Sequence, residues 1–159
     1  MNSPTQLAKH FRDVYSGGNW TCVNLRDVLK DITWQQATTK VQSLNTIAIL
    51  LGHTSYYIAT ITKVLQGGPL VGKDEESFVH PPIQSEEEWR QWVNTVLTDA
   101  ENMAALIEQL PEEKLWEPFT DEKYGNYYRH LLGVTEHMHY HLGQMVLIRK
   151  LVQAENGQV

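Results

Sequence analysis

The stretch Leu131-Leu132-Gly133-Val134-Thr135-Glu136-His137-Met138-His139-Tyr140-His141-Leu142-Gly143-Gln144-Met145 decides how this chain is read. At about 100° per residue, Leu131, Val134, Met138, Met145 and Val152 fall on one side of a helix. His137 and His141 fall on that same side. Residues four apart on a helix lie one above the other, so these two imidazoles can aim at one point. The spacing predicts a long helix from about Asn126 to Ala154 with half of a metal site on its inner face.

Working outward, the same period recurs. Trp89, Val93, Val96, Ala100, Met103, Ile107 and Leu110 form one stripe, opened by Ser85 and Glu88 as a capping box and closed by Pro111. A second long helix is expected from about Ser43 to Leu65, ended by Gly67-Gly68-Pro69, with Leu50, Tyr57, Ile61 and Val64 on its apolar stripe. Ser3-Pro4 reads as N-cap and first position of an opening helix carrying Leu7, Phe11 and Val14 and ended by Gly17-Gly18. Between the first two long helices, Leu25, Val28, Leu29 and Ile32 mark a short helical piece, and Thr33 with Gln36 a capping box for another. No alternating strand pattern or internal repeat stands out. The expected fold is all-α: a four-helix bundle in one domain, residues 1–159, with short extra helices between the first and second long ones.

A length of 159 residues, 42% hydrophobic and 20% charged, suits one soluble domain with a core of its own. Thirteen basic against nineteen acidic residues give a net charge of -6, which argues against nucleic-acid or anionic-membrane partners. The lone cysteine, Cys22, excludes an internal disulfide and is read as structural or incidental. No secretory leader is visible at the polar N-terminus, so a cytoplasmic protein is expected.

His53, at the inner margin of the second long helix, is the candidate third ligand beside His137 and His141. A buried imidazole needs a partner for each ring nitrogen, and a metal meets that need directly. Taken alone, His53 reads equally well as a core histidine bonded to a carbonyl or hydroxyl. His130 shares the face of His137 but lies about 10 Å along the axis, too far to share an ion. It is read as pocket lining or a satisfied core residue. His139 points to the opposite side and is expected in solvent; His10 and His80 have no constellation around them. Gln144 could orient a ligand or a metal-bound water, although a polar residue at a helix boundary is the blander reading. Tyr57 could contact substrate, although an aromatic on an apolar stripe is more often core. Glu136 stands about 100° around the helix from His137 and is a poor general base. Two better-known metal motifs are excluded: Met138 stands where a zincin has Glu, and Glu136-to-His139 supplies only one Glu-x-x-His, on the outward face. Leu132, Tyr140 and Leu147 lie away from the histidines, which suggests a second subunit against the last helix.

Taken together, the Gly17-Gly18-Asn19-Trp20 turn, the Ile47-to-Tyr57 tract and the His137-to-Gln144 tract resemble the DinB-like (DinB/YfiT) superfamily of metal-dependent proteins, over nearly the whole chain. The resemblance implies an up-down-down-up bundle, often dimeric, in which His53, His137 and His141 bind a divalent metal, commonly zinc or nickel. It also implies chemistry on a small-molecule substrate: a thiol S-transferase or isomerase using a low-molecular-weight thiol, or a hydrolase. Many members of the superfamily have no known activity. Three neutral imidazoles leave an ion its charge and an open position, where water or a thiol becomes a nucleophile at neutral pH. The alternative is a non-catalytic dimeric binding module in which the metal clips two helices together.

Overall fold

Four long helices carry the structure, a computed structural model describing residues 2–155: α1 (Ser3–Ser16), α4 (Ile47–Leu65), α5 (Glu86–Glu108) and α6 (Tyr127–Glu155). Two five-residue helices, α2 (Leu25–Leu29) and α3 (Trp34–Thr38), lie between α1 and α4 as expected. Three short 3₁₀-helices complete the secondary structure of the described residues, at Asp74–Glu76, Glu112–Trp116 and Glu122–Tyr124. Among the described residues the only strand-like pairing is an isolated bridge between Pro118 and Asn126. Among the same residues, no helix is long and apolar enough to cross a membrane.

The helix ends follow from side-chain chemistry. Thr33 and Gln36 form a reciprocal capping box, satisfying two orphan amides of α3. At α5, Ser85 accepts from the Glu88 amide, but the Glu88 carboxylate accepts from the Gln84 amide instead of closing the box. Gly67, at φ 86°, ends α4: its amide donates to Val64 and that of Gly68 to Lys63, the Schellman pattern that favours glycine. Two starts are displaced from expectation. Asn2, not Ser3, caps α1 by accepting from the Thr5 amide, which moves Pro4 one position inward. Helix α4 begins at Ile47, not Ser43, because Thr46 accepts from the Ile49 amide and the preceding residues turn, with Gln42 at φ 50°.

Each long helix turns its apolar stripe inward. Helix α1 packs on α5 and α6, and α4 packs on the same two. Trp89, Phe11, Leu51 and Met103 are wholly buried between them. The Trp89 indole still needs an acceptor there and donates to the Ile32 carbonyl at 2.8 Å. Leu131, Val134, Met138, Met145 and Val152 are buried as the helical period requires, so His137 and His141 face the interior with them.

Candidate metal centre

Helix α4 presents His53 to the inner face of α6, where His137 and His141 stand one turn apart. The Nε2 atoms of His53 and His137 are 2.9 Å apart, and those of His141 and His137 are 3.0 Å apart. The three residues form a group that could hold a metal ion, their ligand atoms lying within 4.8 Å of one another. Among the described residues no further His, Cys, Asp or Glu joins them.

The outward nitrogens decide what the inward ones offer. The Ser77 hydroxyl donates to the Asp74 carbonyl at 2.5 Å, so it accepts from His53 Nδ1, 2.6 Å away. The Gln144 amide oxygen accepts from His141 Nδ1 at 2.7 Å. A neutral imidazole has one N–H, so both of these Nε2 atoms carry lone pairs, and both face His137 Nε2. His137 can offer one hydrogen at most, which leaves at least one of these two lone pairs without a hydrogen to accept. Protonation is a poor remedy: burial first, then the neighbouring rings, hold His137 down to about 4, and burial lowers His53 and His141 as well. A divalent cation is the species that three converging imidazole lone pairs suit.

The loop between α4 and α5 supplies more than Ser77. Phe78 stacks on the His53 ring with centroids 4.2 Å apart, and Asp74 accepts from the Tyr57 hydroxyl at 2.6 Å. Burial and the Asp74 carboxylate push the Tyr57 hydroxyl up to about 12. The Tyr57 ring meets His53 and His137 edge-on, at 5.2 and 4.9 Å. Gly52 lets this loop approach, since a Cβ there would meet the Val79 carbonyl oxygen at 2.3 Å.

A cavity of about 330 Å³ opens on His137. Tyr57, Ile61, Val134 and His130 line it, with Arg129 from the first turn of α6 and Tyr124 from the 3₁₀ turn before it. His130 stacks flat on Phe119, centroids 3.7 Å apart, and lines the cavity, one of the two roles its axial distance left open. Tyr57 is half-buried beside the histidines rather than sealed in the core, and Gln144 orients a ring rather than merely ending a polar edge.

His139 departs from expectation. It is half-buried rather than solvated, because α1 packs over that side of α6, and its Nε2 is sealed without a hydrogen-bond partner. Its ring lies 6.0 Å from that of His10, so His10 has a neighbour after all. Asp74, Ser77 and Phe78 went unnoticed in the sequence. They sit in a polar loop with no periodicity, and no spacing ties them to His53, which Ser77 follows by 24 residues. Searches for relatives leave the site to be judged on this geometry: no protein-family model, curated protein or solved structure matches the chain.

Proposed function

We propose that this chain is a DinB-like metalloprotein whose His53, His137 and His141 bind one divalent ion, and that it is a metal-dependent enzyme. The observation that carries the reading is the set of Nε2 atoms, two already fixed as lone-pair donors by Ser77 and Gln144, converging within 3.0 Å of the third. Second partners that fix the tautomer and aim the ring are what metal-bound histidines need. An ion bound there, zinc or nickel by the resemblance, supplies Lewis acidity and a thiolate or hydroxide at neutral pH. The chain's own contribution is to hold three rings, pack Phe78 and Tyr57 against His53, and leave the cavity beside His137 for a small substrate. Thiol transfer and hydrolysis share this requirement.

The second reading is a structural clip between α4 and α6. The cavity on His137 and the lack of a fourth ligand among the described residues favour the catalytic one, since structural zinc sites are closed by four protein ligands.

An up-down-down-up bundle belongs to the same proposal, and residue pairs support it. Ser3 bonds to Glu112 while Arg12 pairs with Glu101 and Glu108, which sets α1 against the direction of α5. Residues of α4 and its C-cap from Ile58 to Gln66, and of α5 and its C-cap from Asp99 to Gln109, line one groove, so these two helices are neighbours as that bundle requires. His53 meets His141 while Ile61 shares a cavity with His130, the pattern of α4 running against α6. The exposed Tyr140, Leu147 and Leu151 support a homodimer through the outer face of α6, and light scattering at monomer mass would exclude it.

The test is elemental analysis of untagged protein purified without chelator, beside a His53→Ala/His137→Ala/His141→Ala variant. About one zinc or nickel per chain, lost in the variant, is expected. No metal after reconstitution with zinc, nickel, manganese and iron would overturn the reading.

A further inference from the structure

The cavity beside His137 is lined by one arginine, Arg129. Of the five arginines, Arg12, Arg90 and Arg149 are each committed to carboxylates, and Arg90 and Arg149 to helix-end carbonyls as well. Arg26 and Arg129 have no such partner among the described residues, and of the two it is Arg129 that lines this cavity, with Glu136 beside it in the adjoining groove. The Arg129 side chain is exposed, and its stem passes close to the turn before α6: a Cβ on Gly125, which stands at φ 74°, would meet Arg129 Cδ at 2.9 Å.

Between Arg129 and His137 the lining is apolar or neutral. Ile61 and Val134 form walls, Tyr57 keeps its hydroxyl on Asp74, and Gly133 contributes no side chain, with open space where a Cβ would stand. Eight residues of α6 separate the two ends, about 12 Å along the axis. A slot of about 330 Å³ with a histidine cluster at one end and an unpaired guanidinium at the other is polarised along its length. Guanidinium matches a carboxylate in shape and charge, and a pocket of this size suits one small molecule.

We infer that this cavity binds a slender apolar molecule bearing a carboxylate, with the carboxylate on Arg129 and the opposite end at the three histidines. The orientation rests on the metal reading; the carboxylate seat does not. At the Arg129 end a single positive charge stands against neutral walls, which is why a carboxylate is favoured there over a dianionic phosphate ester.

The test is a ligand-detected NMR titration of hexanoate, hexanamide and hexyl phosphate against metal-free and zinc-treated protein, in wild type, Arg129→Gln, Arg129→Lys and Gly133→Leu. Hexanoate should bind more tightly than hexanamide and weaken about ten-fold in Arg129→Gln, with partial recovery in Arg129→Lys. Gly133→Leu, which fills the slot, should abolish binding of both. Equal affinity of acid and amide, indifference to Arg129 or to Gly133→Leu, or tighter binding of the phosphate would overturn the inference. Arg129-dependent binding in a protein that takes up no zinc would sink the metal reading and keep the pocket. Zinc uptake with binding indifferent to Arg129 would do the reverse.

Discussion

The Ser77 hydroxyl accepts from His53 Nδ1 at 2.6 Å while giving its own hydrogen to the Asp74 carbonyl. One loop side chain therefore fixes both the tautomer and the tilt of the ligand from α4. Ser77→Ala should leave the helical fold intact and weaken zinc binding by about 10–100-fold, measured by competition with a chromophoric chelator. Gln144→Ala, which frees His141, should act in the same range. Undiminished affinity in both variants would mean that the rings need no support.

Metal binding should be visible as stability. An ion that binds only the folded chain adds about 3–4 kcal/mol when present at 100 to 1,000 times its dissociation constant. Chemical denaturation of the wild type should shift by that amount on adding zinc. His137→Ala, which removes the central nitrogen, should show little or no shift.

In the metal-free protein, stability should fall with acid. Burial lowers His53, His130, His137, His139 and His141 in the folded state, His137 to about 4 from an ordinary 6.5. Between those values the unfolded chain takes up protons that the folded chain refuses, so the stabilisation is complete above pH 6.5 and lost as pH falls toward 4. Urea midpoints at pH 7.5 and 5 should show the drop, and His137→Gln should flatten it. A midpoint that rises on acidification would contradict the burial of these rings.

Gly52→Ala should damage the site without touching a ligand. Its Cβ would meet the Val79 carbonyl oxygen at 2.3 Å, and the obstacle is backbone, so the loop must move. A loss of about 1–3 kcal/mol is expected, with weaker zinc binding as Ser77 and Phe78 withdraw from His53. Wild-type behaviour in both assays would show that the loop has slack.

The long helices were legible because each carries its apolar residues at helical period, and Leu131 to Val152 alone placed His137 and His141 on the inner face. His53 was legible as a candidate only because an inner-face histidine pair stood elsewhere in the chain. Starts were less legible: Ser43 and Thr46 are both capping residues, and the turn at Gln42, which period cannot reveal, decides between them. His139 was misjudged because one helix's period says nothing about which neighbour covers its far side; α1 does. Ser77, Asp74 and Phe78 act through a loop whose path depends on the space left at Gly52.

The two outer rings are anchored differently, and this has a kinetic consequence. Gln144 is three residues from His141 on the same helix, so that anchor lasts as long as α6 does. Ser77 reaches His53 from a loop 24 residues away, and that anchor lasts only while the loop is docked. Loops of this kind open far more often than helices unfold. An ion held here would therefore escape by the loop side. Its removal by excess chelator would reach a ceiling set by loop opening, independent of how much chelator is present.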